Sequence, residues 1–412
     1  MKVFIKTYGC SLNQADSELM EGVLIREGHE IVEREEEADA IVVNTCTVKG
    51  ATENKIMNYL EKLSAKGKKV VAAGCLTTHK KQLSHYASSL ISPGAVGRVG
   101  ESLEGKKVIV DFGDKGRLPR RQTGAIARIA IQEGCMSSCT FCETKIARPR
   151  LMSQSIESIL LWIRQAVNAG AVEIQLAGMD TGTYGTDRGY DVADLLTKIN
   201  KMEGMFRARL GMNNPQHIKR LGKKLITAYE GEKIYKFLHT AVQSGSEKVV
   251  ADMERTHSVE DFEEVVKSYR EEMPSMTIAT DIIVGYPTEE ESDFEESIAL
   301  VKRTMPDVVN VSKFTPRPLT RAAKLKQLPS SVVKERSRIM SEVVVETTKK
   351  RNKHYIGREM EAIVTEEGKG RTENYKQVVF KENVRVGQCY DVKVVDANHT
   401  SLFVELLEKS RE

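Results

Sequence analysis

The 412-residue chain contains no run of eighteen apolar residues, which excludes a membrane-spanning helix of ordinary length. Its first ten residues, MKVFIKTYGC, carry a lysine inside a short apolar run and read as a strand rather than a signal peptide, so the chain is expected in the cytoplasm. No low-complexity tract or internal repeat is present. Aromatic residues are scarce at 6%, with a single Trp, while apolar and charged residues make up 40% and 29%. That balance excludes disordered, collagen-like and disulfide-scaffold classes. Net charge is also small, +4. Seven cysteines in a reducing compartment are read for metal or redox chemistry before disulfides. The eight histidines share no metal-binding spacing and receive no catalytic role.

The length implies between two and three domains. The charge is unevenly placed. Lys313 to Lys353 holds twelve basic residues against three Glu, and Lys115 to Arg150 holds eight against two acidic residues. Such concentration suggests a polyanionic partner, although charge runs are usually solvated helix faces.

From Val3 to Gly74, short apolar runs (VFIKTYG, AIVVN, KKVVAAG) alternate with amphipathic stretches, including one from Ala51 to Lys66. This pattern indicates βαβ units and a parallel sheet. A Gly-, Lys- and Arg-rich linker spans Gly113 to Gly124. Beyond it, six strand candidates alternate with helices, at 127–132, 172–178, 206–211, 235–242, 276–285 and 307–314. Ser153 or Ser155 can cap one of the helices, which Gly170 ends. Six consecutive βα units suit a partial β/α barrel, with an open doubly wound sheet as the competing shape. From about Met360, short alternating strands (MEAIVTEE, NYKQVVF, CYDVKVVDAN, SLFVELLE) indicate a small β-barrel with balanced charge.

Cys10, Cys46 and Cys75 each follow a strand of the first unit. Parallel strands point the same way, so these residues gather at one sheet edge, where open α/β sheets bind ligands. Cys135, Cys139 and Cys142 form a C-x3-C-x2-C loop after the first barrel strand. A structural zinc site takes four protein ligands and no fourth Cys or His lies nearby, so three thiolates suggest a cluster with one open iron. A zinc site or three unrelated thiols are the alternatives. Cys389, inside a small-barrel strand, reads as core.

The C-x3-C-x2-C loop followed by a β/α barrel resembles the radical S-adenosylmethionine (SAM) enzymes. In that superfamily the open iron binds SAM, which yields a 5′-deoxyadenosyl radical. The motifs TYGCSLNQADSELM, NTCTV, AAGC, VQSGSEKVVADMERTH, TDIIVGYPTE and KFTPRPLTRAAKL extend the resemblance to the methylthiotransferases over essentially the whole chain. It implies three modules: residues 1–112, a flavodoxin-like parallel α/β sheet with an auxiliary [4Fe–4S] cluster on Cys10, Cys46 and Cys75; residues 121–350, a partial (β/α)6 radical SAM barrel with a cluster on Cys135, Cys139 and Cys142; and residues 351–412, a small β-barrel like the RNA-binding TRAM domain. Cys142-Glu-Thr-Lys-Ile-Ala-Arg148 and Asp180-Thr-Gly-Thr-Tyr-Gly185 look most like the branch acting on threonylcarbamoyladenosine in tRNA. Other branches usually carry proline where Lys145 stands, and Arg148-Pro149 departs from the family's usual Arg-Gly.

The implied reaction replaces the adenine C2–H with a methylthio group at position 37, using two [4Fe–4S] clusters and SAM. The resemblance assigns SAM binding to Gly178, Met179, Asp180, Asn213, Gln243, Ser244 and Val284; Phe141, beside Cys142, reads as stacking on adenine, shielding the cluster from water, or both. For RNA, the candidates are Lys145, Arg148, Arg317, Arg321, Lys349, Lys350, Arg351 and a base-stacking Tyr375. The expected partners are a tRNA anticodon stem-loop and an electron donor such as ferredoxin or flavodoxin, with the chain a monomer. A methylthiotransferase acting on another tRNA adenosine or on a ribosomal protein, and a non-catalytic iron–sulfur RNA-binding or redox-sensing protein, are the rival readings.

Overall fold

The computed structural model describes residues 1–47 and 50–407. Val48, Lys49 and the last residues of the expected third module, 408–412, lie outside it.

The N-terminal unit is a parallel sheet of six strands: β1 (Lys2–Thr7), β2 (Glu30–Ile31), β3 (Ala40–Thr45), β4 (Lys69–Gly74), β5 (Ser89–Ile91) and β6 (Val108–Ile109), in the order β2-β1-β3-β4-β5-β6. Strands β3 and β4 are buried on both faces because helices cover both, and their runs AIVV and VVAA are apolar accordingly. The two-residue strands β2 and β6 left no period-2 signal and were not expected. Helix α1 (Ser11–Arg26) follows β1, and α2 (Gly50–Ala65) follows β3. Among the buried residues of α1 are Asn13, Asp16 and Ser17 as well as apolar ones.

The central unit confirms a partial barrel over the open-sheet alternative. Its first strand is β7 (Ile126–Ala130); a short antiparallel pair, β8 (Gln132–Glu133) with β9 (Met152–Ser153), closes the base of the cysteine loop. Strands β10 (Glu173–Ala177), β11 (Arg207–Leu210), β12 (Phe237–His239), β13 (Thr277–Val284) and β14 (Val308–Lys313) complete it. Two parallel three-stranded sheets, β7-β10-β11 and β12-β13-β14, are stitched by single bridges Ala208–Ile234 and Asn213–Thr240. Ala127, Ile129, Ile174, Leu176, Ala208 and Leu210 face the surrounding helices, packing with Ile159, Trp162 and Ile163 of the helix Ile156–Asn168. Ser155 caps that helix by accepting from the Ser158 amide at 3.1 Å. The alternate residues Arg128, Gln175 and Arg209, in register with one another, face the barrel interior.

Helix α1 closes the open side of this interior. Leu12 and Ala15 pack on Ala130 and Ala177, Ser11 donates to Gln175 Oε1 at 2.9 Å, and Glu18 pairs with Arg128 at 3.6 Å.

The third unit is a closed barrel of β15 (Glu359–Glu366), β16 (Lys369–Thr372), β17 (Gln377–Phe380), β18 (Cys389–Ala397) and β19 (Ser401–Leu406). The loop between β16 and β17 enters the opposite, N-terminal mouth of the central barrel. There Tyr375, at φ +63°, packs on Tyr235 and Phe237 and donates to Glu173 Oε1 at 2.6 Å. Asn374 donates to the Ser275 carbonyl, and Lys376 to Asp307 at 2.8 Å. Tyr375 is therefore a plug in the barrel floor, and its expected role as an RNA base platform is corrected. Cys389 lies against Ala125, Val172 and Ile363 at the same junction. No helix among the described residues is long and apolar enough to cross a membrane.

Candidate functional site

The cysteine loop leaves β8 through Gly134, whose φ of +68° suits glycine, and a Cβ there would run into the Arg150 carbonyl. The loop thus returns on itself, and its thiols are met by N–H donors. The Ser137 amide donates to Cys135 Sγ at 3.3 Å, and Arg255 Nη1 donates to Cys139 Sγ at 3.2 Å. Burial, with Cys139 nearby, pushes the Cys142 thiol up to about 11. Donors aimed at sulfur stabilise thiolate and cluster sulfur alike. Three thiols on one tight loop, two of them met by N–H donors, fit a [4Fe–4S] cluster that leaves one iron open.

Asp180, fully buried after β10, faces this loop with Oδ2 4.0 Å from Cys135 Sγ. Asn214 donates to it from its side chain at 2.6 Å and from its amide at 3.2 Å, and His217 stands at 3.4 Å. Burial raises the carboxyl above its usual range. Gly178 and Met179 lie beside it at the strand end. Asn213 is committed to the fold: Nδ2 donates to the Gly211 carbonyl at 3.0 Å and Oδ1 accepts from Thr181. Ser244 lies 3.3 Å from the Ser297 hydroxyl, Gln243 adopts φ +74° next to β13, and Val284 is buried at the end of β13. All seven residues cluster at or beyond strand C-termini, but Asn213 and Ser244 have their side-chain polar atoms engaged. Phe141 packs near Val249, Met253 and Tyr286, shielding the loop.

The N-terminal triplet sits at the sheet edge expected for it. Cys10 caps α1 and is exposed, whereas Cys46 and Cys75 are buried. Gly9, at φ +112°, leaves room there, since a Cβ would sit 2.9 Å from both Cβ and Sγ of Cys46. Asn13 Oδ1 lies 3.6 Å from Cys75 Sγ. Burial pushes the Cys75 thiol up to about 12, against the pull of Arg148.

Arg148 joins the two triplets. Six residues beyond Cys142, it donates through Nε to Cys75 Sγ at 3.4 Å and through Nη2 to Asn13 at 3.0 Å and Asp16 at 2.6 Å, and Nη1 binds Glu133. Lys115 completes the buried quartet, 2.5 Å from both Asp16 and Glu133. In parallel, Glu143 binds His79, four residues past Cys75, and Arg317 binds Glu53 of α2. Arg148 and Arg317 are buried, so their expected direct contact with RNA is corrected; both hold the N-terminal unit against the cluster loop. Lys145 donates to the Cys135 carbonyl. Arg351 pairs with Asp307 at 3.0 Å, Arg321 is exposed but forks onto Glu254 and donates to the Ser138 carbonyl, and Lys349 and Lys350 are exposed. The basic segments therefore offer RNA fewer free charges than their composition suggests: Lys115, Arg148, Arg317 and Arg336 are all buried in ion pairs.

Sequence reasoning missed Asn13, Asp16, His79, Glu133 and Arg255. The only local signal was polar residues on the buried face of α1.

Three family profiles match: uncharacterized protein family UPF0004 over residues 2–90, the Radical SAM superfamily over 129–301 and the TRAM domain over 353–407. Among solved structures, the Kitasatospora setae radical SAM methyltransferase TsrM with cobalamin and a [4Fe–4S] cluster aligns at TM-score 0.57 and 13% identity, covering 78% of this chain and 77% of its own. The radical enzyme OxsB aligns at TM-score 0.54 and 12% identity, covering 85% of this chain and 56% of its own. These likenesses show the fold. Fold and site together define a radical SAM protein, a class that uses SAM and a [4Fe–4S] cluster. Curated relatives narrow the class. The chain is 41% identical to the probable threonylcarbamoyladenosine tRNA methylthiotransferase of Pyrococcus horikoshii over 99% of this chain and 100% of that one. It is 42% identical to the Archaeoglobus fulgidus protein of the same description (98% and 99% covered) and 34% identical to the human threonylcarbamoyladenosine tRNA methylthiotransferase (96% and 72%). The chain belongs to the threonylcarbamoyladenosine tRNA methylthiotransferase family and is a transferase.

Proposed function

We propose that this enzyme replaces the adenine C2–H of N6-threonylcarbamoyladenosine at position 37 of tRNA with a methylthio group. In this reading, Cys135, Cys139 and Cys142 hold the [4Fe–4S] cluster that binds SAM, and Cys10, Cys46 and Cys75 hold a second. When bound, these cofactors supply a radical able to break an aromatic C–H bond and the sulfur that replaces it.

The observation that carries the reading is the double tie between the cysteine triplets. Arg148 reaches from the loop of one to Cys75 of the other, and Glu143 and His79 repeat the link a few residues away. An adenine between the triplets would meet radical source and sulfur source together. Around it, Gly178, Met179, Asp180 and Gln243 offer backbone and polar groups to SAM; Asn213, Ser244 and Val284 shape the strand ends beneath it. Arg321, Lys349 and Lys350 face outward for phosphate contacts, with Lys145 near the mouth.

We assign modules at 1–112, 121–350 and 351–412, a cytoplasmic location beside the tRNA, a monomeric state and a ferredoxin- or flavodoxin-type electron donor. Anaerobic reconstitution tests the chemistry. Reductive formation of 5′-deoxyadenosine from SAM that disappears in Cys139→Ala supports it; RNA binding without SAM cleavage, unchanged by that substitution, refutes it in favour of a non-catalytic protein.

A further inference from the structure

In the barrel interior, Arg209 has no carboxylate partner among the described residues, and unlike Arg255, which donates to Cys139, Asn214 and the Ala241 carbonyl, it makes no side-chain hydrogen bond to the fold. Arg128, Gln175 and Arg209 form one interior layer across β7, β10 and β11. Helix α1 supplies Glu18 to Arg128 and Ser11 to Gln175. Arg209 receives neither. Its guanidinium lies over the Phe237 ring at 5.1 Å and the Tyr375 ring at 5.5 Å, and its Nε is buried without a hydrogen-bond partner. Among the described residues it pairs with no carboxylate. The nearby Glu173 accepts from Tyr375 and from Gln175 through Oε1, at 2.6 and 2.7 Å, and its buried Oε2 makes no hydrogen bond to Arg209.

Nearer the C-terminal ends of the strands stands a second polar group. His239 is 2.9 Å from Asp281 Oδ2, and Asn310 donates to Asp281 Oδ1 at 2.8 Å. Burial alone would raise the Asp281 carboxyl, but His239, Asn310 and Arg255 outweigh it and hold it below its usual range. Arg255, which donates to Cys139, acts on Asp281 through its charge, and the His239 ring lies 6.3 Å from that of Phe237 beneath Arg209.

A guanidinium stacked on aromatic faces keeps its N–H edge free for a planar, bidentate anion. We infer that Arg209 binds the carboxylate of the substrate's N6-threonylcarbamoyl group, and so selects an amino-acid-bearing adenosine over an alkyl-bearing one. The inference rests on the proposed substrate and deepens it. It gives the barrel interior the task of reading the side chain while the base is held above, between the cysteine triplets. Tyr375 and Phe237 fix the plane of the guanidinium, so the small C-terminal barrel shapes the substrate site from below.

The test is equilibrium binding of the anaerobically reconstituted full chain to three anticodon stem-loops. One carries N6-threonylcarbamoyladenosine, one its methyl ester and one unmodified adenosine. The wild type should prefer the free acid to the ester by about tenfold or more, as a charge-assisted bidentate contact allows. Arg209→Met should bind acid and ester equally, at the wild type's ester affinity; Arg209→Lys should retain part of the preference. A purely structural role would weaken all three ligands alike. If Arg209→Met keeps the wild-type preference for acid over ester, or if all three ligands weaken alike, the inference is overturned while the substrate reading stands. If the wild type does not distinguish threonylcarbamoyladenosine from adenosine, the substrate reading itself fails.

Discussion

Replacing Arg148 with Met removes one cation from a buried quartet of two cations and two carboxylates. Asp16, Glu133, Lys115 and Arg148 are all buried, and their formal charges cancel. With Arg148 gone, one carboxylate charge loses its counter-charge inside the protein, and Cys75 loses the guanidinium N–H that points at its sulfur. Breaking a buried ion pair by deleting one partner destabilises by about 3–5 kcal/mol, because the remaining charge is stranded. For a unit of this size that corresponds to about 6–20 °C in the melting temperature of the full chain. The same reasoning makes a second prediction within the experiment: adding Glu133→Gln neutralises the stranded charge, so the double variant should regain at least half of the loss. A shift under about 2 °C for Arg148→Met, or strictly additive losses in the double variant, would refute the buried-network account.

Gly9→Ala should lower iron content from that of two clusters to that of one, because its Cβ would sit 2.9 Å from Cys46 Sγ at a φ of +112°; iron unchanged from the wild type on elemental analysis would refute the steric argument, and one-cluster iron in the wild type itself would count against the auxiliary site. Tyr375→Ala should destabilise the chain by about 3–5 kcal/mol through loss of a buried aromatic, and increase hydrogen exchange at the barrel floor; Tyr375→Leu, which keeps an apolar plug but no ring to stack, should leave affinity for unmodified tRNA unchanged, whereas a large loss would restore the base-stacking role. Asp307 receives Lys376 and Arg351, which outweigh its burial and hold its carboxyl below the usual range. A carboxyl lowered on folding contributes stability above its unfolded pKa and loses it as pH falls through the folded value. Thermal stability should therefore decline below about pH 4, and Asp307→Asn should flatten that decline while lowering stability at pH 7.

The elements legible in the sequence were those specified locally. Apolar runs bounded by turns marked β1, β3, β4, all six barrel strands and four of the five strands of the small barrel, because each such run reports its own burial. The cysteine loop was legible because its spacing is a property of one tight turn. Arg148, Arg317 and Tyr375 were misread for the opposite reason. Whether a charge in a basic run is solvated depends on carboxylates arriving from distant segments, here Asp16 and Glu133 for Arg148 and Glu53 for Arg317. Tyr375 likewise resembles an exposed loop aromatic until the floor of another module closes around it. Arg209 carried no local signal: its unpaired state emerges only when β7, β10, β11 and α1 are assembled.

The central claim is that both cysteine triplets serve one thiomethylation. Its most direct test is nucleoside mass spectrometry after anaerobic incubation of the reconstituted enzyme, SAM, sulfide and reductant with tRNA bearing N6-threonylcarbamoyladenosine. The account predicts the 2-methylthio derivative with the wild type. With Cys75→Ala it predicts 5′-deoxyadenosine release without that product. Methylthio product formed at wild-type yield by Cys75→Ala would contradict it.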